Sequence, residues 1–447
     1  MAKRKGIVVL FALLMVFLAA CSGGNTSSNP GTDTQSDTSS DTETNKSDDQ
    51  SGASVELRVA WWGGQARHDM MNALFDKFEE KYPHITVVRE FGTENQFVEK
   101  VTTQAAGGNA PDVVQTSSFF LNDFVARNIH MELDALVDSG DIDLSDFIVH
   151  DVDGGKVDGK LYMISLGHNI TGIIHNTEMF NKAGVPLPQN GWTWDEYIQT
   201  LKDLQKSLGS EAWASEDEGG TYRGLDMFLM QRGKSMFNGN QLGFEKQDLI
   251  DWYSIWDELR KAGVVPPASI QAEEGDKPQE QSMLARGRVA MVSKSSNQLK
   301  IFQKAMKDEL RIVSYPTDPN GKKVFPLIVP GMGISPNSKH PKEAAQLINF
   351  IVNDEDAAKI FRGEHGPQAS KKMQAVIYDS LSEPEKLEYA FVDEMMPFTM
   401  PYPAMPGGST SVQKLVLTEN EAIAFGIKSI EQAVDDFFSQ AEQILNR

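Results

Sequence analysis

Gly233-Lys234-Ser235 reads like the end of a Walker loop, in which backbone N–H groups cradle phosphates and the lysine neutralises them. The position that must be glycine in such a loop is Phe228, so the cradle is missing. Asp151-x-Asp153-Gly154-Gly155-Lys156 begins like an EF-hand, but its fifth position is Gly155 and its sixth, where glycine is required, is Lys156. No HExxH, GxSxG or GxGxxG occurs. One cysteine in 447 residues cannot form an internal disulfide or a thiolate metal site. Among 63 acids nothing singles out a pair for glycoside hydrolysis, and a calcium site of ordinary oxygen ligands stays open. The chemistry left is non-covalent capture by aromatic faces and planar polar groups, concentrated at Trp61–His68 and Gln115–Phe119.

Those two stretches follow strands. Val55–Trp62 reads as a strand, and Met71, Leu74, Phe75 and Phe78 form the i, i+3, i+4, i+7 stripe of a helix that ends at Tyr82-Pro83. A strand at 85–91, a helix at 96–106 and a strand at 111–115 follow, a βαβ alternation that predicts parallel pairing with helices on the sheet faces. Glycine turns at 154–155 and 158–159 predict a hairpin into 160–164, and 172–176 reads as another strand. Thr193 with Glu196 forms a capping box before a helix buried through Tyr197, Leu201, Leu204 and Leu208. Further helices are expected at 248–262, 341–352 and 419–445, with strands at 289–292 and 311–314 and a turn at 318–321. Trp61 and Trp62 face opposite ways on a strand, so one of them is expected in the core; Trp252 and Trp256 belong to a helical core stripe. The class is α/β, and ligands of open sheets gather at the carboxyl ends of strands.

Charge divides the chain. The formal net charge is −21, from 42 Lys and Arg against 63 Asp and Glu, which excludes a nucleic-acid partner because phosphate binding needs clustered cations. Lys3, Arg4 and Lys5 precede an apolar run from Ile7 to Ala20, too short at about 21 Å to span a bilayer core of roughly 30 Å but suited to a signal peptide over residues 1–20. Leu18-Ala19-Ala20-Cys21 resembles a bacterial lipobox, which implies diacylglycerol on Cys21 and palmitate-type anchoring to the outer face of the cell membrane. Residues 22–54 contain no aromatic residue and no aliphatic residue larger than Ala53, and are expected to be a disordered tether reaching about 30 Å.

From there an ordered set of motifs runs through the chain: Trp61-Trp62-Gly63-Gly64, Phe78-Glu79-Glu80-Lys81-Tyr82-Pro83, Gly107-Gly108-Asn109-Ala110-Pro111-Asp112-Val113-Val114, Asp158-Gly159-Lys160-Leu161-Tyr162, Gly172-Ile173-Ile174-His175-Asn176, Gly287-Arg288-Val289-Ala290-Met291 and Gly331-Met332-Gly333-Ile334. In this order and spacing they resemble the family 1 extracellular solute-binding proteins, the carbohydrate-capturing subunits of ABC importers. The stretch from Ala60 to Asp69 is most similar to members from Gram-positive soil bacteria associated with pectin and rhamnogalacturonan fragments.

The resemblance implies a two-lobed, type II periplasmic-binding-protein fold with parallel-rich sheets, joined by three hinge crossings near Ser165–Asn169, Met291–Ser296 and Gly333–Ser338. Residues 55–166 and 294–335 would form one lobe, 167–293 and 336–447 the other. It further implies a monomer that binds an oligosaccharide, uses no cofactor or metal, catalyses nothing and engages membrane permease subunits. A sugar needs flat apolar faces and buried planar hydrogen-bonding groups. The aromatic candidates are Trp62, Phe119 and Tyr402; the polar ones are Gln65, Arg67, His68, Gln115, Ser117, His168, Asn169, Asp226, Ser295, Asn297, Gln298 and Glu364. Arg67 and His68 open a helix, where dipole and charge would together suit the carboxylate of a uronate-containing ligand. The alternatives are a surface-attached glycoside-active enzyme, or a binder of a peptide, metal chelate or polyamine.

Overall fold

The structure, a computed structural model, describes residues 54–446 apart from 211, 275, 276, 278 and 404. The expected signal peptide, Cys21 and the tether up to residue 53 lie outside the described residues.

Strand β1 (Val55–Trp62) buries Val55, Leu57, Val59 and Trp61 in one core with Met71, Leu74, Phe75 and Phe78 of helix α1 (Gln65–Lys81). Strand β2 (Ile85–Gly92) returns parallel to β1 along its whole length, from Val55↔Ile85 to Trp62↔Gly92. Helix α2 (Glu94–Ala106) starts in a Thr93–Gln96 capping box and carries the chain to β3 (Val113–Ser117), parallel to β1 on its other side. Apart from two short two-stranded ribbons, Lys156–Val157 with Lys160–Leu161 and Phe237–Asn238 with Gln241–Leu242, the later strands are β4 (Ile164–Ser165), β5 (Asn169–Asn176), β6 (Trp213–Ser215), β7 (Val289–Ser295), β8 (Leu310–Ser314), β9 (Phe325–Ile328), β10 (Pro330–Ile334) and β11 (Thr399–Pro401).

They build two sheets. The first has the order β2-β1-β3-β10-β4; the second has the order β11-β9-β5-β7-β6, with β8 also on β5. Both are mixed, where parallel-rich sheets were expected. β10 runs antiparallel to β3 and β4, and β5 antiparallel to β7, β8 and β9. The reason lies in the connections. Parallel neighbours need a crossover of a dozen residues or more, which α1 and α2 provide; β5 and β10 instead enter directly from the opposite sheet.

These direct entries locate the passages between sheets. The chain leaves β4 at Ser165 and enters β5 at Asn169, and it returns through Val329, between β9 and β10. The second passage is therefore not at Met291–Ser296: β7 pairs with β5 from Met291↔His175 to Ser295↔Thr171, wholly within the second sheet. Residues 294–328 consequently lie with the second sheet, not with the first lobe as expected. The third passage is not at Gly333–Ser338 either. After β10, Ala344, Leu347 and Ile348 of helix α6 (Pro341–Asn353) and Phe361 of α7 (Glu355–Phe361) pack in the first core, whereas Phe391 of α8 (Glu383–Met395) packs in the second. Hydrogen-bond pairing and core membership, not position in the family's motif order, decide these assignments.

The second core is aromatic. Trp194, first residue of α3 (Trp194–Gln205) behind its Thr193–Glu196 capping box, meets Phe228 of α4 (Tyr222–Gln231) and Trp252 of α5 (Lys246–Lys261) edge-on. Trp192, Trp252 and Trp256 are buried there too. The helical run expected over 419–445 is two helices, α9 (Ser409–Ala424) and α10 (Ile430–Leu445). Gly426, at φ +69°, ends the first, and a Ser429–Gln432 capping box opens the second. No described helix is long and apolar enough to cross a membrane.

Candidate ligand-binding cleft

At the end of β1 the two tryptophans part. Trp61 is fully buried, edge-on to Phe75 at 5.4 Å between ring centroids, and its Nε1–H donates to His68 Nδ1 at 3.1 Å. Burial, and then Arg67, lower the pKa of His68, in keeping with a neutral ring that accepts this bond. Trp62 turns the other way, against Phe97 and Phe120, and forms part of the wall of a cavity of about 630 Å³. That volume falls within the usual range for small-molecule sites.

The cavity draws on both sheets. From the first come Trp62, Arg67, Ser117 and Phe119; from the second and the turn after β7 come Asn169, Ser295, Asn297 and Gln298. These eight candidates are brought together. The other seven stand behind or beside the wall. Gln115 holds it: its Oε1 accepts from Trp62 N–H at 3.0 Å, and its Nε2 lies 3.1 Å from His365 Nε2. Glu364 accepts from Arg67 Nε at 3.2 Å. Tyr402 packs edge-on behind Phe119 at 4.6 Å, and buried Asp226, its carboxyl pushed up to about 6 by burial, neighbours the Tyr402 hydroxyl. His168 is sealed at the first passage, 2.9 Å from Asp151. Burial opposes charge on its ring, yet Asp151 raises its pKa. His68 is spent on Trp61, and Gln65 is exposed and bonds Asp69 at 2.7 Å.

Several wall residues were missed. Thr171 and Lys294 face the cavity from β5 and β7; Thr221, Tyr222 and Arg223 from the start of α4; Gln413 and Lys414 from α9. Glu218 lines it as well, its Oε1 accepting from Ser293 N–H at 2.8 Å and its carboxyl pushed up to about 7 by burial, with Lys294 pulling the other way. The sequence signal was Gly219-Gly220, a turn that delivers an aromatic and a cation to a helix start.

A strap at 363–366 ties the two sides. Its carbonyls accept from Asn297 Nδ2 (Glu364, 3.2 Å), Lys300 Nζ (Gly363, 2.9 Å) and Asn169 Nδ2 (His365, 2.7 Å), while its side chains meet Arg67 and Gln115 of the first sheet. Gly366, at φ +93°, passes so close to the His168 carbonyl that a Cβ would collide with it. His365 lines the cavity, and burial holds its pKa well below the usual range.

The sequence pattern of bacterial extracellular solute-binding proteins matches residues 73–384. The chain belongs to this family. Among relatives of this solute-binding protein, the multiple sugar-binding protein of Streptococcus mutans is 21% identical over 416 residues, covering 88% of each chain. An uncharacterized lipoprotein of Streptomyces antibioticus is 22% identical over 381 residues, covering 81% of this chain and 75% of its own. A periplasmic oligogalacturonide binding protein from Yersinia enterocolitica, solved in complex with saturated digalacturonic acid, superposes with a TM-score of 0.75 at 21% identity, over 88% of this chain and 99% of that one. The fold is therefore that of the type II solute-binding proteins, α/β with mixed sheets flanked by helices.

Proposed function

We propose that this solute-binding protein captures a uronate-bearing oligosaccharide and passes it to the permease of an ABC importer, while Cys21 and its tether hold it as a monomer at the outer face of the cell membrane. One observation carries the reading: the aromatic side chains of Trp62, Phe119 and Tyr222 share a cavity with Ser117 and the amides of Asn297 and Gln298, drawn from both sheets. Rings accept the C–H faces of a sugar and amides its hydroxyls, and contact with both sheets favours the closed arrangement of a hinged pair of lobes. The names of the Streptococcus and Yersinia relatives support a carbohydrate. Charge supports an acidic one. In a chain of net charge −21 the cavity presents Arg67, Arg223, Lys294 and Lys414 against Glu94 and Glu218.

The reading is tested by a thermal-shift screen across neutral oligosaccharides, uronate oligosaccharides and polyamines, since a ligand selective for the folded state raises the melting temperature. Uronate oligosaccharides are expected to give the largest shift; a shift with polyamines alone would reject the proposal. New reducing ends after incubation would instead identify a glycoside-active enzyme. Trp62→Ala removes one ring of the cleft wall along with its packing on Phe97 and Phe120, and is expected to weaken sugar binding at least tenfold, about 1.4 kcal/mol, without unfolding the protein. Calorimetry giving wild-type affinity would take Trp62 out of the site.

A further inference from the structure

The first passage between the sheets is sealed around one imidazole. His168 is 1% exposed; its Nδ1 lies 2.9 Å from Asp151 Oδ2, while Asp151 Oδ1 accepts from Ser165 Oγ at 3.0 Å. The other ring nitrogen, Nε2, meets no hydrogen-bond partner among the described residues. Asp151 comes from the short helix Val149–Asp153, whose Val152 packs against the first core, so it holds the ring from that side.

From the second core comes α8, which packs on β5, β8 and the helix Leu299–Ala305. It carries Glu388, fully buried, with neither carboxylate oxygen hydrogen-bonded among the described residues. The groups that face Glu388 are His168 from the passage, Lys300 from the helix Leu299–Ala305, Glu364 from the strap, and Glu385 and Tyr389 from α8 itself. Lys300 gives its Nζ to the Gly363 carbonyl at 2.9 Å, Glu364 is paired with Arg67 and Glu385 with Arg362. His168 in turn is faced by Asp151, Asp393 and Glu388. A charged His168 balances Asp151. An ionised Glu388 adds another buried carboxylate charge to that pair, with no hydrogen bond to stabilise it, and such a charge is costly to bury. Burial accordingly pushes its carboxyl up to about 7, against the pull of Lys300. Water reaches it if α8 and the passage part.

We propose that Glu388 is a proton-controlled pin of the hinge: protonated, it lets α8 seat on the first passage and the cleft close; ionised, it favours the open arrangement, so that capture is favoured on the acid side of neutrality and release on the alkaline side. This rests on the hinged reading above. A hydrated glutamate ionises near 4.5, so the advantage of the closed form is full below that value and is lost as pH rises through about 7. His168 acts with the same sign. Burial opposes charge on its ring, Asp151 raises its pKa, and rising pH removes the charge that Asp151 holds.

The experiment reads the separation of the two sides by pulsed electron resonance, with nitroxides on Glu80→Cys of α1 and Lys261→Cys of α5, both exposed, in the full chain carrying Cys21→Ser. From pH 6 to pH 8 the ratio of long to short separations is expected to rise by about threefold or more. Glu388→Gln, which keeps the shape of the protonated acid, and Glu388→Leu, equally unable to ionise, should hold the ratio constant. Glu218→Gln removes a second raised carboxyl, at the cleft wall, and should keep the rise. A ratio that ignores pH with Glu388 in place, or an equal rise in its variants, overturns the proposal, as does loss of the rise in Glu218→Gln, which would put the controlling proton in the cleft. A single separation in every variant at both pH values overturns the hinged reading as well. No sugar enters the measurement, so each of these outcomes leaves the carbohydrate reading to its own test.

Discussion

Trp252→Ala is expected to lower the free energy of unfolding by about 3–5 kcal/mol, the usual cost of truncating a fully buried large aromatic. Trp252 has no exposed surface and packs against Trp194, Phe228 and Trp256 at 5.4 to 5.9 Å. Deletion would leave a void that these three rigid rings cannot fill without leaving their present edge-on and tilted contacts. The indole also has a polar duty: Nε1–H donates to the Gly219 carbonyl at 2.8 Å, just before the turn that carries Gly220 and Thr221 into the cleft. On α4 its ring presses so close to Gly224 that a Cβ there would lie 2.9 Å from it. Trp252 thus sets the seat of the helix start that presents Tyr222 and Arg223, and ligand affinity should fall with stability. Urea titration followed by circular dichroism measures the first effect, and Trp252→Phe, which keeps an aromatic ring but loses the hydrogen bond, should recover most of it. A loss below about 1 kcal/mol for Trp252→Ala would mean that the site collapses freely and that the aromatic cluster does not organise this core.

Local pattern made much of this legible. The stripe Met71, Leu74, Phe75, Phe78 is buried as its spacing requires, the Thr193–Glu196 box forms, and strand alternation sends Trp61 inward and Trp62 to the cleft. What pattern could not reach was pairing over distance. Val289–Ser295 is an apolar run that either sheet could take, and only its register with His175–Thr171 assigns it to the second. Arg67 looked like an anion site because a helix start and a cation coincide there, but its partner, Glu364, comes from 297 residues away. His68 was drawn off by an adjacent indole. Arg223 was invisible for the converse reason. It lies at the cleft wall without an ion pair among the described residues, which depends on every neighbour that folding brings near it.

Histidine burial yields the second large effect, an acid-side loss of stability centred on His130. The ring is 2% exposed, neither nitrogen has a hydrogen-bond partner among the described residues, and it lies between Phe124 and the glycine backbone of β10 at Gly333. Burial lowers its pKa to about 3. Between about 3 and the unfolded value of 6.5 the unfolded chain therefore binds a proton that the folded chain refuses. Stability is full above 6.5 and falls as pH falls; at pH 5 this one residue should cost about 2 kcal/mol relative to pH 7. His175, lowered by burial to about 4, acts with the same sign. Glu218 and Glu388, raised by burial to about 7, act oppositely: protonated when folded, they add stability below about 4.5 that is lost as pH rises through 7. The net profile mixes these contributions, so the decisive quantity is a difference of differences. His130→Leu keeps an apolar filling of the site and removes both orphaned nitrogens, leaving Glu218, Glu388 and His175 in place. From pH 7 to pH 5 the variant is expected to lose about 2 kcal/mol less than the wild type, read as urea midpoints at the two pH values. Equal losses would mean that folded His130 takes up a proton as readily as the unfolded chain, and that water or a rearranged backbone reaches the ring.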